Sequence, residues 1–124
     1  MPFIAHTDAP AFKLHGASFT GLASPARGAT ETAVWIVALA PGTPGTPHQL
    51  TREEIFVGLE GQATATVGEA EHEITPGSAL IVPAHTTFTI TNRTAHPFRA
   101  VAVLPVGGQA QLAGQAPFTP PWAA

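Results

Sequence analysis

Cysteine is absent from this chain, so it can form neither a disulfide nor a thiolate metal site. Any metal would have to be held by histidine, carboxylate, amide or water oxygen. Charge is scarce as well: 10% of the residues are charged, five Lys and Arg against eight Asp and Glu, giving a net charge of -3. The five cations, Lys13, Arg27, Arg52, Arg93 and Arg99, are scattered along the chain. They leave no basic patch for a nucleic acid or an anionic membrane. Long apolar runs are missing too. The longest, 33–40, is far too short to cross a membrane as a helix. The opening "MPFIAHTDAP" has no basic segment followed by an apolar one, so no signal peptide is expected, and a cytoplasmic location fits the lack of cysteine. No segment carries a 3.6-residue apolar period, and thirteen prolines disfavour long helices. No repeat of 20 to 50 residues is found.

What remains is a chain of 124 residues, 44% of them hydrophobic. That is one domain, 1–124, able to bury roughly two-thirds of the surface its unfolded chain exposes. Strand signals dominate. "ETAVWIVALAPG" (31–42) is β-branched and apolar and closes on Pro41-Gly42. Segments 54–61 and 62–69 are expected to pair as a hairpin around Glu60-Gly61. "AEHEITPG" (70–77) and "TTFTITN" (86–92) alternate polar with apolar, as half-exposed strands do, while "SALIVP" (78–83) reads as buried. The last clear strand is 96–108. Many short strands separated by turn signals predict an all-β sandwich or barrel. The Pro-rich tail carries Phe118 and Trp122, aromatics expected to pack on the barrel or on a partner.

Two stretches then bring a family into view. Gly42, His48, Leu50, Glu54 and Gly61 fall on the spacing Gly, five residues, His, one, His, three or four, Glu, six, Gly. Gly77, Pro83, His85, Phe88 and Asn92 fall on Gly, five residues, Pro, one, Gly, two, His, three, Asn. The chain thus resembles the cupin superfamily of small jelly-roll barrels. That resemblance implies a double-stranded β-helix with its motif-bearing core at about 31–106, flanked by an N-terminal strand region and the C-terminal tail. It also implies a homodimer. In metal-binding cupins the ligands are both His and the Glu of the first motif and the His of the second. Here only His48 and Glu54 stand at those positions, and the other two are Leu50 and Phe88, which cannot ligate.

The chemistry is therefore open between three readings, each centred on a small organic molecule in the barrel. In the first, a divalent metal (Fe, Zn, Mn, Ni or Cu) is held by His48, Glu54 and His85. His85 takes the glycine position of the second motif, in a turn expected near the barrel mouth. In the second, His48 and Glu54 work without metal as an acid–base pair of an isomerase, epimerase, lyase or cyclase. In the third, the domain binds or senses a ligand without turnover. Strand alternation puts His48 with Leu50, and Phe88 with Ile90, on inward faces. Leu50, Phe88 and Gln49 are the expected pocket walls, Gln49 requiring a bulge to turn inward. The bland alternative has His48 and Glu54 hydrogen-bonded to each other inside the barrel. Glu53, His6, His15, His72 and His96 are expected at the surface, Trp35 in the core or an interface, and Arg99 on an exposed strand position. Asn92 is expected to be a turn residue supporting the fold.

Overall fold

The computed structural model describes residues 1–124, and nearly all of its regular structure is β. Eleven strands follow one another: β1 (Ala11–Leu14), β2 (Ala17–Ala23), β3 (Thr32–Leu39), β4 (His48–Leu50), β5 (Glu54–Glu60), β6 (Ala63–Val67), β7 (Ala70–Ile74), β8 (Ala79–Val82), β9 (Phe88–Thr91), β10 (Phe98–Pro105) and β11 (Ala110–Leu112). The only helical pieces are single 3-10 turns at His6–Asp8, Pro25–Arg27 and Pro121–Ala123. No helix is long and apolar enough to cross a membrane.

The strands form two antiparallel sheets, one in the order β1-β2-β3-β10-β5-β8 and the other β11-β4-β9-β6-β7. This is the jelly roll the sequence resemblance implies. Its core follows from alternation. In β3, Ala33, Trp35, Val37 and Leu39 are buried, and in the paired β10 so are Phe98, Ala100, Ala102 and Leu104. Phe56, Leu80, Leu50 and Phe88 complete the interior from both sheets. Residues between these positions face outward: Val34 and Ile36 on β3, Val101 and Val103 on β10, Ile55 and Val57 on β5, and Ile81 on β8, which is 59% exposed.

One expected pairing is not formed. The 54–61 and 62–69 segments do not make a hairpin: β5 lies between β10 and β8 in the larger sheet, whereas β6 pairs with β7 and β9 in the smaller one. The Glu60-Gly61 turn instead carries the chain over a corner from one sheet to the other. Gly61 has φ of 72°, and a Cβ there would run into the carbonyl of Pro97. Glycine is required at this corner by conformation and by space together. The true hairpin is one step later, β6 with β7, turning at Gly68-Glu69.

Asn92 does more than end a strand. It is fully buried, and its Nδ2 donates to the carbonyls of Leu39 (3.1 Å) and His96 (2.8 Å). Its Oδ1 accepts from the amide (2.9 Å) and hydroxyl (2.8 Å) of Thr94. Every polar atom of the side chain is thereby used, and the end of β9 is tied to β3 in the opposite sheet. The C-terminal tail returns to the barrel. Phe118 pairs with Ala110 through two backbone hydrogen bonds (2.8 and 2.9 Å), and Trp122 stacks on Phe19 with centroids 3.7 Å apart and planes 4° from parallel.

Candidate functional site

Between the sheets lies a cavity of about 430 Å³. Its walls come from strands of both sheets and from the tail. β4 contributes His48 and Leu50, β5 contributes Glu54 and Phe56, and β9 contributes Phe88 and Ile90. The period of two is the whole reason: in each strand the residues two apart share the inward face. His48 and Glu54 therefore approach the cavity from opposite sheets.

Glu54 is the most unusual group in the molecule. It is 3% exposed, and its Oε1 has no hydrogen-bond partner. Its surroundings are apolar, and desolvation alone pushes its carboxyl pKa up to about 8. At neutral pH the group is a carboxylic acid with a proton to donate. His48 differs in kind. Its Nδ1 lies 2.8 Å from the carbonyl oxygen of Thr46, which can only accept, so Nδ1 carries the ring proton and Nε2 keeps its lone pair. Burial lowers the His48 pKa, and the Thr46 hydrogen bond opposes this only in part. The neutral imidazole is thus favoured, with Nε2 as a base.

The two groups are not joined. No hydrogen bond or ion pair links them, and the ion pairs of the chain are Arg93–Glu71 and Arg99–Glu60, both at the surface. The expectation that His48 and Glu54 satisfy each other inside the barrel is therefore not met. Phe88 stands beside His48, with ring centroids 4.5 Å apart, and beside Phe56 at 5.8 Å. The result is an acid and a base, both uncharged, set in an aromatic wall.

Several expected site residues sit elsewhere. Gln49 does not line the cavity. It pairs in register with Gln111 of β11, and with no bulge in that ladder the alternation turns it away. His85 is exposed and also outside the cavity lining. Its φ is 59°, the left-handed conformation that explains why the family motif has glycine here, and its amide donates to the Leu50 carbonyl at 2.7 Å. Its contribution near the site is thus made by backbone. A three-ligand centre of His48, Glu54 and His85 is not assembled, and no three His, Cys, Asp or Glu side chains cluster anywhere as a metal would need. With Leu50 and Phe88 filling the remaining ligand positions, the donor set does not fit a divalent metal.

Other residues line the cavity without having been expected there. His15, at the exposed β1–β2 turn with φ of 55°, is part of its lining, as are Leu14, Thr43 and Thr46. Phe19, Phe118, Pro120 and Trp122 form another part of the wall. The aromatic content of the tail was the one available signal. Glu53, His6, His72 and His96 are exposed as expected, Trp35 is core, and Arg99 pairs with Glu60 outside the barrel.

Comparison with known proteins places this arrangement. The chain is 40% identical over 48 residues to the dimethylsulfoniopropionate lyase DddW of Ruegeria pomeroyi, a match covering 39% of this chain and 32% of that relative. The chain thus matches about a third of the length of that curated relative. Its fold is similar to that of the polyketide cyclase RemF from Streptomyces resistomycificus, with a TM-score of 0.81 at 18% identity over 94% of this chain and 87% of the other. It is also similar to a cupin-superfamily sugar phosphate isomerase from Silicibacter pomeroyi, with a TM-score of 0.68 at 24% identity over 82% and 68%. A cyclase and an isomerase share the barrel, so the barrel by itself names no reaction. The cupin domain family model matches residues 35–104, more than half of the chain and the segment that holds both His48 and Glu54, and the chain belongs to the cupin family.

Proposed function

We propose that this cupin is an acid–base catalyst acting on a small carbonyl compound in the barrel, with Glu54 as general acid and His48 as general base. The observation that carries the reading is that Glu54, with an unpartnered Oε1, and His48, with Nδ1 taken by the Thr46 carbonyl and Nε2 left free, line one cavity from opposite sheets without bonding to each other. Pairs of titratable groups whose surroundings hold one as an acid and the other as a base suit proton transfer near neutral pH. In the step we envisage, His48 Nε2 takes a proton from the carbon next to the carbonyl. The C–H electron pair becomes the enol double bond, and the carbonyl oxygen takes the proton of Glu54. The protein is left as imidazolium and carboxylate, and return of the protons at another carbon, or at the other face, completes an isomerisation or epimerisation. Structural likeness to a cyclase and an isomerase is compatible with this chemistry but does not select between them.

The test needs no natural substrate. 2-Tetralone, an enolisable bicyclic ketone, is incubated with protein in deuterium oxide, and loss of the α-proton signal is followed by NMR. We expect exchange above the buffer rate, falling about 10²–10⁴-fold in Glu54→Gln and in His48→Ala. The rate should fall on the acid side, where His48 protonates at a pH below the ordinary imidazole range, and on the basic side near 8, where Glu54 ionises. Exchange at the buffer rate by protein that demonstrably binds the ketone would overturn the reading. The homodimer implied by the family resemblance belongs to this proposal as well, supported by the outward aliphatic residues on β3, β10, β5 and β8. Light scattering should give twice the chain mass, and a monomer at all concentrations would remove the dimer.

A further inference from the structure

The reading of the site as an acid–base pair leaves the substrate's character open, and the cavity walls speak to it. No Lys, Arg or Asp is among the residues lining the cavity. Every cation of the chain is engaged or placed elsewhere. Arg93 and Arg99 pair with Glu71 and Glu60, Arg27 donates to the carbonyl of Trp122 at 3.3 Å, and Lys13 and Arg52 are exposed outside the lining. Recognition of a carboxylate or phosphate depends on charge-assisted hydrogen bonds, chiefly from Arg and Lys, and a neutral His48 is no substitute. An anion entering here would lose its hydration and meet no Lys or Arg in return.

The polar side chains of the lining are few: His15, Thr43, His48 and Glu54 with Thr46. A sugar, with a hydroxyl on almost every carbon, would leave most of its hydrogen bonds unmet. Aromatic rings dominate instead. Phe88 lies beside His48 and Phe56 beside Phe88, and Phe19 and Trp122 are stacked face to face in another part of the wall. Flat rings pack against such faces and edges more favourably than burial alone provides. At ~30 Å³ per water molecule the cavity holds the volume of roughly fourteen waters, which is room for a molecule of two or three fused rings.

We infer that the site takes an uncharged, planar aromatic carbonyl or phenolic compound, with Trp122 as a specificity-determining residue in the wall opposite no cation. This rests on the acid–base reading for the placement of the oxygen, which accepts from the Glu54 acid, but the walls select the class independently of turnover. Trp122 also joins the site to the C-terminus: its ring lines the cavity while its carbonyl is held by Arg27 and the amide of Ala26 donates to the Ala124 carbonyl at 3.4 Å. Phe118, Pro120 and Trp122 thus make the tail part of the binding wall.

The experiment is calorimetric titration at neutral pH with ring-matched probes: 2-naphthol, which is uncharged, 2-naphthoate, which is an anion, and trans-2-decalol, which is uncharged but not flat. We expect 2-naphthol to bind at least tenfold more tightly than either of the others. Trp122→Ala and, separately, Phe118→Ala should weaken 2-naphthol at least fivefold. Phe118 is 42% exposed, so its variant keeps the fold should the Trp122 variant lose it. Equal or tighter binding of 2-naphthoate, or equal binding of trans-2-decalol, would overturn the inference, as would wild-type affinity in folded Trp122→Ala. Failure of catalysis is separable. If 2-naphthol binds as expected while Glu54→Gln leaves 2-tetralone exchange unchanged, the ligand class stands and the acid–base reading falls.

Discussion

Replacing Glu54 with glutamine is expected to stabilise the protein at about pH 9 and to change little at about pH 4. Glutamine keeps the shape of the protonated acid and cannot ionise. The sign follows from the direction of the shift. The folded-state pKa of Glu54 is raised from 4.5 to about 8, so the folded chain holds this proton more tightly than the unfolded one. Wild-type stability is then complete below the unfolded pKa and is lost steadily as pH rises toward 8, above which the loss is constant. The interval between those two values corresponds to at most about 5 kcal/mol, at 1.36 kcal/mol per pKa unit. Water entering the cavity screens part of that. Chemical denaturation of wild type and Glu54→Gln across this range checks it. The curves should meet in acid and diverge in base, with the variant the more stable. Parallel curves at all pH values would mean that Glu54 titrates as an ordinary carboxyl.

The second large effect concerns Leu50 and Phe88. Position 50 shares the inward face of β4 with His48, and Phe88 is the register partner of His48 on β9. Glu54 faces them from the other sheet. The double substitution Leu50→His/Phe88→His puts three imidazoles and one carboxyl around a single space, the donor types that zinc and its neighbours prefer. Without metal this variant should be destabilised by roughly 2–5 kcal/mol, because two buried apolar side chains are exchanged for polar ones. With nickel or zinc it should recover. Free metal at a thousand times its Kd returns ~4 kcal/mol. The wild-type melting temperature should not move with the same metals. A comparable metal-dependent rise in wild type, lost in His48→Ala, would restore a metal-centred account.

Much of this was legible in the chain itself. The barrel could be read because β3, β5, β8, β9 and β10 carry strong local signals, and because Gly42, His48, Glu54, Gly61, Gly77, Pro83 and Asn92 keep a recognisable spacing. The inward faces of β4 and β9 followed from alternation alone. What failed was the partner of β5. A short turn between two strand-like segments looks the same whether the chain folds back as a hairpin or turns a corner between sheets. Only the close approach of Gly61 to Pro97, thirty-six residues later in the chain, decides it. Distance along the sequence also hid His15 and Trp122, which meet the cavity from opposite ends of the chain. The protonation states were hidden for another reason. Whether Glu54 pairs with His48 depends on where each side chain stands across the barrel, and a spacing of six residues contains no such information.

The central claim is that Glu54 is an acid at neutral pH, and its carboxyl carbon can be watched directly. Protein labelled with ¹³C at the glutamate side-chain carboxyl, with Glu54→Gln as the assignment control, would be titrated by NMR. We predict that the signal missing from the control titrates near 8. A midpoint in the usual carboxylate range, near 4.5, would contradict the account, because Glu54 would then be an anion with no proton to give.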